Sequence, residues 1–445
     1  MIEVKYMNTK LTVGILTLGC KVNQYESEAI AEALTDKGFK ILSHTEKCDA
    51  YIINTCTVTA ESDRKARQMI RRMITKNPAA YVLVTGCYSQ VSPEEVAAIE
   101  GVDYICGSSN KMTVVDELCR LVESGKKNEE CKLSVPELEE SDFEPMSIRR
   151  FDRTRAYVKI EDGCESKCAY CTIPASRGPI RSKPFGEVID EVKTLTDNGV
   201  REVVLTGIET GSYGSDLPER ESFASLLAAI DRIDGIGRVR TGSLDPTVIK
   251  PNFVETVKDL KSLCPHFHLS LQSGSSKILA LMKRKYNAEQ ALASMERLRA
   301  AMPEVKFTTD VIVGFPGETD EDFRETCEFV RRAGFLMIHV FPYSKRKGTV
   351  AAQMKDQVPE NVKKERVAAL SQISREIRSE ILDKKVASGR EIEVLFETCE
   401  NGFAHGHTSD FIEVKVETDK MLHGLFRKVK LVSHDGDVCL GIFVE

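Results

Sequence analysis

Long apolar runs are missing from this 445-residue chain. No stretch approaches the roughly 20 apolar residues that a membrane span needs, and the first ten residues, MIEVKYMNTK, lack the hydrophobic segment of a signal peptide. We therefore expect a cytoplasmic protein without a membrane segment. Basic residues are not in excess either, because the formal net charge is −6. Any surface that binds nucleic acid must therefore be local.

Cysteine, in contrast, is abundant, with 14 residues. In a long chain without an export signal, clustered thiols more often bind metal or perform chemistry than form disulfides. Scattered cysteines are usually small buried hydrophobic residues. The position of each cysteine in the sequence therefore has to distinguish metal-binding or reactive cysteines from structural ones. Seven cysteines lie outside any motif, and we expect them to be structural: Cys48, Cys119, Cys131, Cys264, Cys327, Cys399 and Cys439.

Hydrophobic periodicity predicts an α/β chain with three domains. Residues 9–124 alternate strand and helix patterns, which predicts a parallel sheet covered by helices. Residues 125–149 are rich in acidic residues and show little periodicity, so we expect a linker. Residues 150–379 repeat a strand–helix unit six times, which predicts a partial (βα)6 barrel. Residues 380–445 alternate apolar and polar residues between glycines, which predicts a small all-β barrel.

The segment EDGCESKCAYCTIP places Cys164, Cys168 and Cys171 in a CxxxCxxC loop directly after the first strand of the predicted barrel. Three such thiolates can hold one face of an iron–sulfur cluster and leave the fourth iron without a protein ligand. The amino and carboxylate groups of S-adenosylmethionine (SAM) can fill that position. A zinc site is the alternative, but zinc prefers four closed ligands, and no histidine or fourth cysteine lies nearby in the sequence.

The CxxxCxxC motif, with the aromatic Tyr170 before its last cysteine, resembles the signature of the radical SAM superfamily. The resemblance implies a 4Fe–4S cluster and reductive cleavage of SAM to a 5′-deoxyadenosyl radical, which abstracts a hydrogen from the substrate. It also implies SAM contacts at the ends of later strands, where barrel sites are built. The residues that match such positions are Thr206, Gly207, Glu209, Ser243, Gln272, Asp310 and Gly314.

Three further cysteines, Cys20, Cys56 and Cys87, share one position, because each follows a strand pattern in the turn before a helix pattern. The carboxyl ends of parallel strands lie at one edge of a sheet, so we expect these thiols to converge. Helix N-termini also favour thiolate. We therefore predict a second 4Fe–4S cluster with three ligands and one open iron. Cys106 also ends a predicted strand, which leaves a closed four-cysteine cluster as an open alternative.

An N-terminal three-cysteine domain, a radical SAM core and a C-terminal β module together resemble the methylthiotransferase family over nearly the whole chain. The resemblance implies radical attachment of a methylthio group to an unactivated carbon, with the second cluster carrying the sulfur and a second SAM donating the methyl group. The β module resembles the TRAM domain, an RNA-binding barrel. The segment TLGCKVNQYESEAI resembles the bacterial type that modifies carbon 2 of N6-threonylcarbamoyladenosine at tRNA position 37.

Alternatives stay open at this point. The same chemistry acts on isopentenyladenosine in tRNA or on a ribosomal protein in other types of the family, which carry different residues after the first cysteine. A different class of protein, a non-catalytic RNA-binding protein that contains zinc, is the third hypothesis. The resemblance further implies the anticodon stem-loop of a tRNA and an electron donor such as flavodoxin or ferredoxin as partners, and we expect a monomer.

The predicted helix at 61–76 offers an RNA surface, because it carries six basic and two acidic residues and follows Cys56. Phosphate neutralisation is the natural role of such a helix, and a merely solvated helix face is the alternative. Its candidate RNA contacts are Arg64, Lys65, Arg67, Arg71 and Arg72. Further basic residues that can extend the track are Arg149, Arg150, Arg153, Arg155, Lys345, Arg346 and Lys347.

Overall fold

The computed structural model of the chain describes residues 11–139, 141–151, 154–218 and 221–444. Arg153, one of the predicted basic residues, lies outside these ranges. Two α/β domains are followed by a small closed β barrel, so the predicted α/β class and the order of the domains are confirmed. Among the described helices, none combines the length and the apolar character that crossing a membrane requires.

The first domain is a parallel sheet with helices on both faces. Its elements are β1 (Thr12–Thr17), α1 (Lys21–Asp36), β2 (Lys40–Ser43), β3 (Ala50–Thr55), α2 (Ala60–Lys76), β4 (Tyr81–Gly86), α3 (Cys87–Val91), α4 (Pro93–Ala97), β5 (Tyr104–Cys106), α5 (Thr113–Ser124) and β6 (Lys132–Ser134). The strands lie in the order β2-β1-β3-β4-β5-β6. Ile70 of α2 packs on one face, and Leu34 of α1 and Leu118 of α5 pack on the other. Because both faces are covered, β3 is buried along its whole length.

The segment predicted as a linker differs from the expectation, because it contributes an edge strand. Residues of β6 pair in parallel with β5, with Ile105 opposite Leu133. This strand has only three residues, and its first two are exposed. It therefore carries no alternation of apolar and polar residues that could have predicted it.

The second domain is a partial barrel of six strand–helix units, as predicted. Its elements are β7 (Arg155–Lys159), β8 (Glu161–Asp162), α6 (Ile173–Arg177), β9 (Arg181–Ser182), α7 (Phe185–Asp197), β10 (Glu202–Thr206), α8 (Phe223–Ile230), β11 (Arg238–Thr241), β12 (Ser243–Leu244), α9 (Pro251–Val257), β13 (His266–Gln272), α10 (Ser276–Leu281), α11 (Ala288–Ala301), β14 (Lys306–Val313), α12 (Asp320–Ala333), β15 (Met337–Pro342) and α13 (Val350–Gln353). Parallel strands β7-β10-β11 continue, after Gly242, into β12-β13-β14-β15. The short antiparallel pair of β8 and β9 closes the loop that carries the CxxxCxxC motif.

The first domain packs against the β7 side of the partial barrel through α1. Tyr25 and Ala29 of α1 belong to the same buried cluster as Ala156 of β7 and Val188 of α7. The Tyr25 hydroxyl also donates to Glu191 of α7 at 2.9 Å. The two domains therefore share one core at this edge.

The chain ends in helix α14 (Glu360–Ala387) and a closed five-stranded barrel with the strand order β16-β17-β18-β20-β19. Its strands are β16 (Glu391–Glu400), β17 (Phe403–Thr408), β18 (Glu413–Glu417), β19 (Phe426–His434) and β20 (Cys439–Phe443). Phe411, between β17 and β18, stacks on His266 at the amino end of β13, with ring centroids 4.5 Å apart. Arg240 of β11 donates to the Ser409 carbonyl at 3.1 Å. The module is thus fixed to the end of the core opposite the CxxxCxxC loop.

Candidate active site

The three cysteines of the CxxxCxxC motif lie in the loop between β8 and α6, at the carboxyl ends of the barrel strands. They line a cavity of about 180 Å³. Three of the predicted SAM-contact residues line the same cavity. The side chains around it include Cys164, Cys168, Tyr170, Cys171, Glu209, Ser243, Asp245, Ser270, Gln272 and Arg284. The fold therefore joins in space residues that are more than 100 positions apart in the sequence.

Each thiol of this triplet has a polar neighbour. Cys164 donates to Glu209 Oε2 at 3.0 Å, and Arg284 Nη1 lies 3.2 Å from Cys168 Sγ. The backbone N–H of Ile173 donates to Cys171 Sγ at 3.4 Å. Burial and the neighbouring Cys168 thiol raise the pKa of Cys171 to about 11. Metal binding must therefore displace a proton from this thiol, and N–H donors stabilise the thiolate that results.

Arg284 and Gln272 are held in place at this cavity. Arg284 forms an ion pair of 2.7 Å with Asp245 and is largely buried. Gln272 has a φ of +72°, although it is not glycine, and it follows a break in the register between β13 and β14. Strained backbone of this kind persists where the surrounding structure imposes it, and it is common at ligand sites. Sequence reasoning missed Arg284, whose only signal was its place shortly after the β13 turn.

Thr206 ends β10, and Gly207 follows it beside a buried carboxyl group that sequence reasoning missed. A side chain at position 207 would place its Cβ 2.6 Å from Glu161 Oε2, so the site accepts only glycine without a shift. The same oxygen of Glu161 accepts the Glu209 N–H at 2.8 Å. Burial, with the nearby Asp162 carboxylate, raises the pKa of Glu161 well above its usual value. Glu161 thus fixes the loop that presents Glu209 to the cavity.

Four predicted SAM residues do not line this cavity: Thr206 and Gly207, which form its loop, and Asp310 and Gly314. Asp310 pairs with His268 inside the barrel, at 3.4 Å. Gly314 donates its N–H to Glu318 at 2.6 Å, and Glu318 is paired with Arg366 of α14. The position of Gly314 is therefore explained by the connection between β14 and α14.

Cys20, Cys56 and Cys87 also come together, each at the carboxyl end of a strand of the first sheet. Cys20 immediately precedes α1 and Cys87 is the first residue of α3. A side chain at Gly19 would place its Cβ 3.0 Å from Cys56 Sγ, so the loops of Cys20 and Cys56 are in contact. Burial and the neighbouring Cys87 thiol raise the pKa of Cys56 to about 11. The predicted convergence of the three thiols is what the structure contains.

Asn23 and Arg177 organise this second triplet. The Asn23 amide donates to the carbonyls of Leu18 and Thr55, at 2.7 and 2.9 Å, and so ties two of the cysteine loops together. Arg177 Nη2 donates to Asn23 Oδ1 at 2.6 Å, and Arg177 Nε lies 3.1 Å from Cys87 Sγ. A guanidinium beside the sulfur supplies a charged N–H donor to a thiolate that binds iron.

Cys106 does not join this triplet. It is completely buried among apolar side chains that include Leu83 and Val115. Its thiol has Thr85 and Thr113 as hydrogen-bonding neighbours, and burial raises its pKa to about 12. The position of Cys106 therefore favours a three-thiol arrangement.

Short helix α6 separates the two triplets. Cys171 ends the CxxxCxxC motif two residues before α6, and Arg177 at the end of α6 contacts Cys87. Thr172 donates to the carbonyl of Thr57, next to Cys56, at 3.4 Å. Five helical residues at about 1.5 Å each span under 10 Å. The two sets of thiols therefore face one region of the molecule.

Fully buried charges lock the two domains together beneath this region. Arg177 pairs with Glu26 at 2.6 Å and with Asp162 at 3.0 Å. Lys159 pairs with the same two carboxylates, and Lys111 pairs with Glu26. Burial alone would raise the pKa of Glu26, but the charges of Arg177, Lys111 and Lys159 hold it well below its usual value. The network thus pairs three buried cations with two buried carboxylates, and its remaining positive charge includes the Arg177 guanidinium beside Cys87.

The donor set fits iron–sulfur clusters better than a single metal ion. Within the described ranges, no group of three or more His, Cys, Asp and Glu side chains is placed to bind one ion. A cubane cluster has a different requirement, because each thiolate binds a different iron, and cysteine thiolates are its usual ligands. Two three-thiol sets, each with polar groups beside the sulfurs, meet that requirement.

The basic residues of α2 differ in whether they form salt bridges with other residues of the protein. Arg64 pairs with Glu61 on the surface, and Arg67 donates to Tyr88 and pairs with Glu95. Lys65, Arg71 and Arg72 are exposed and form no salt bridge within the described part of the chain. These three are the cations that remain available for phosphate.

Three further basic residues were predicted to extend the RNA surface of α2, but each is paired with an acidic residue. Arg346 is buried and pairs with Asp63 at 2.7 Å, because the loop after β15 packs on the start of α2. Arg149 pairs with Glu32 and Asp36, and Arg155 pairs with Glu397. Lys345 and Lys347 remain exposed beside Arg346.

Residues 158–330 match the Radical SAM superfamily, and residues 12–107 match a family described as Uncharacterized protein family UPF0004. The threonylcarbamoyladenosine tRNA methylthiotransferase MtaB of Bacillus subtilis (strain 168) is 40% identical over 427 residues, which are 95% of this chain and 94% of that protein. The tRNA-2-methylthio-N(6)-dimethylallyladenosine synthase of Carboxydothermus hydrogenoformans is 38% identical over 95% of this chain and 93% of that protein.

Among solved structures, the radical SAM methyltransferase TsrM from Kitasatospora setae, with cobalamin and a 4Fe–4S cluster bound, has a TM-score of 0.57. It is 15% identical and covers 77% of each chain. At this identity the likeness extends to the fold alone, and it agrees with the predicted α/β architecture.

Proposed function

The chain belongs to the radical SAM methylthiotransferase family, whose members use SAM and 4Fe–4S clusters. From this premise we propose that it modifies N6-threonylcarbamoyladenosine at position 37 of tRNA. The modification would add a methylthio group to carbon 2 of that nucleoside. Both the name of the Bacillus subtilis relative and the resemblance of residues 17–30 support this substrate. Isopentenyladenosine is the competing substrate, since a relative of nearly equal identity acts on it by name.

The arrangement of the two thiol triplets on either side of α6 is the observation that carries the proposal. Methylthiolation needs a radical and a sulfur donor at the same carbon atom. Cys164, Cys168 and Cys171 would hold one cluster at the mouth of the barrel, and Cys20, Cys56 and Cys87 would hold the other. With bound SAM, the first cluster supplies the radical and the second supplies the sulfur.

The protein's own residues would position the substrate and protect this region. Glu209, Ser243 and Gln272 line the cavity beside the first triplet and are the proposed contacts of SAM, with Thr206 and Gly207 forming the loop. Arg284 and Arg177 bring positive charge to Cys168 and Cys87. That charge would offset the negative charge of thiolate-bound clusters. Asp310 and Gly314 keep a proposed role only toward the adenosine part of SAM.

The partners follow from the same proposal. The anticodon stem-loop would lie along α2, where Lys65, Arg71 and Arg72 are exposed and unpaired by the described residues. An electron donor such as flavodoxin or ferredoxin would reduce the first cluster. The chain would act as a monomer, because one copy carries both triplets.

The proposal is tested by replacing one cysteine of each set in oxygen-protected protein. Wild-type protein should bind about eight irons, as two 4Fe–4S clusters require, and should convert the target nucleoside in tRNA from a deletion strain. Cys168→Ala should retain about four irons and lose cleavage of SAM. Cys56→Ala should also retain about four irons, and it should still form 5′-deoxyadenosine while making no methylthio product. Iron analysis and mass spectrometry of tRNA nucleosides provide the readouts.

Cys131→Ala is the matched control, because Cys131 lies in the first domain but outside both triplets. It should keep both clusters and full activity. A methylthio product with Cys168 replaced, or zinc in place of iron in active protein, would contradict the proposal. If only the RNA with isopentenyladenosine gave a methylthio product, the proposed reaction would stand, but its substrate would be isopentenyladenosine.

A further inference from the structure

A polar chamber inside the barrel has no role in the chemistry described so far, apart from the proposed contact of Asp310 with the adenosine part of SAM. It contains Asp310 of β14 and His268 of β13, whose Oδ2 and Nε2 atoms are 3.4 Å apart. His339 of β15 lies beside them, with ring centroids of His268 and His339 separated by 6.1 Å. Val311 and Val313, on the other face of β14, are completely buried in the core. Polar side chains placed inside a barrel cost free energy unless they have polar partners, so the polar residues of this chamber point to a ligand.

Lys21, the residue after Cys20, extends into this chamber from the first domain. It is within electrostatic range of Asp310 and His339. It is also within range of Cys20, so the chamber adjoins the second thiol triplet. The first domain therefore contributes an exposed cation near this chamber of the second domain.

The chamber is open to solvent. Lys21 and His339 are exposed, and the neighbouring Phe341 has 48% of its surface accessible. The rings of His339 and Phe341 are 6.5 Å apart, so these residues lie along one path from the outside. An exposed aromatic ring on such a path is a surface on which a base can stack.

Lys21 is the cation at this chamber whose ammonium has no ion-pair partner in the described ranges. Arg155 is paired with Glu397 at 3.0 Å, and Arg240 is paired with Glu202 at 2.9 Å. Asp310 is paired with His268. Lys21 forms neither a salt bridge nor a hydrogen bond with any residue in the described ranges. An ammonium without a direct ion-pair partner, at a site open to ligand, can bind an anionic group.

We propose that Lys21 binds the carboxylate of the threonylcarbamoyl group and so selects this nucleoside against isopentenyladenosine. The inference rests on the proposed function, because it deepens the recognition of that substrate. The threonylcarbamoyl group carries a carboxylate and a hydroxyl, which suit the ammonium of Lys21 and the imidazole of His268. The isopentenyl group is apolar and uncharged, so it would leave the chamber's polar groups without partners. Sites built for polar groups reject analogues that lack them.

The test uses anaerobic, cluster-loaded full-length protein and three anticodon stem-loop RNAs. One RNA carries the threonylcarbamoyl nucleoside, one carries its methyl ester, and one carries isopentenyladenosine. Esterification removes the charge and leaves the rest of the group in place. For wild-type protein, the KM of the ester should exceed that of the acid roughly 10- to 100-fold, as expected for a hydrogen bond between charged groups.

Lys21→Met should raise the KM of the acid by a similar factor and should abolish the difference between acid and ester. Lys21→Arg keeps the charge and should restore most of the preference for the acid. Rates are expressed per loaded cluster, from the iron content of each variant. If a variant does not load its clusters, the comparison of acid and ester in wild-type protein still decides.

Three outcomes would overturn the inference. In the first, wild-type protein has the same KM for the acid and the ester. In the second, Lys21→Met keeps the full preference for the acid. In the third, Lys21→Met raises the KM of the acid and the ester equally, as loss of a phosphate contact would do. Failure of the proposed function looks different, because wild-type protein would then methylthiolate neither the acid nor the ester.

Discussion

Arg177 is the residue on which most of the buried site converges. Its guanidinium contacts Cys87, Asn23, Glu26 and Asp162, and none of its surface is accessible. An arginine without solvent is stable only when every charge around it is compensated. Its role is therefore both structural, between two domains, and electrostatic, beside a cluster ligand.

Replacing Arg177 with Met should destabilise the protein by about 3–5 kcal/mol, because Glu26 and Asp162 would be left as buried charges with fewer partners. Chemical denaturation followed by circular dichroism measures the change. Arg64→Met is the control, since its pair with Glu61 is on the surface, and it should produce no measurable shift. An unchanged midpoint for Arg177→Met would mean that Lys111 and Lys159 alone compensate the carboxylates.

Residues with a spacing motif were predictable, and those defined only by packing were not. Cys164, Cys168 and Cys171 lie within one loop, so their shared role could be read directly from the sequence. Arg177 and Glu161 have partners in other domains or strands, between 15 and 154 positions away. No local pattern predicts such pairs, because the fold creates them.

Among the elements, the long periodic ones matched expectation and the short ones were missed. The predicted helix at 61–76 is α2 (Ala60–Lys76), and Thr59 caps it by accepting the Ser62 N–H. Helix α6, in contrast, has five residues and begins with Ile-Pro, which shows no amphipathic period. Yet α6 separates the two triplets, so one of the most informative elements had the weakest sequence signal.

Helix α2 should contribute to RNA affinity through the cations that remain unpaired. Replacing Arg71 and Arg72 together with Ala should weaken binding of the stem-loop and reduce the slope of log K against log salt by roughly 1.5, since each phosphate contact contributes about 0.7–0.9. Filter binding across a salt series measures the slope.

The matched control is Arg324→Ala with Arg332→Ala on α12, because both are exposed arginines paired with glutamates. These changes should leave the salt slope unaltered. An unchanged slope for the α2 variant would identify that helix as a solvated face, which was the alternative reading of its charge.

At the scale of the whole molecule, the three domains were predictable and their docking was not. The alternation of strand and helix patterns distinguished them, but it contains no information on contacts such as Phe411 with His266. Phe411 adopts a φ of +70°, unusual for a bulky residue, and presents its ring to the base of the barrel. Arg240 lies over the same ring at 5.0 Å. The β module therefore closes the end of the barrel opposite the cysteines.

The docking of the β module should weaken in mild acid because of His266. Burial, followed by the positive charge of Arg240, holds the pKa of His266 well below its usual value, so the ring stays neutral in the folded protein. In the unfolded chain a histidine has a pKa of about 6.5. As the pH falls below that value, the unfolded state takes up a proton that the folded state does not. The free energy of unfolding must then fall with decreasing pH.

Between pH 7 and pH 5.5 this single group should cost the wild-type protein about 1 kcal/mol of stability. His266→Gln keeps a donor within reach of Thr308, the present partner of the ring at 3.0 Å, and removes the titration. Thermal unfolding at both pH values measures the difference, and contributions from other groups cancel because they are common to both proteins. The variant should lose less stability on acidification than the wild type. Equal losses would mean that His266 becomes protonated without undocking the module, with Thr308 and Phe411 accommodating the charge.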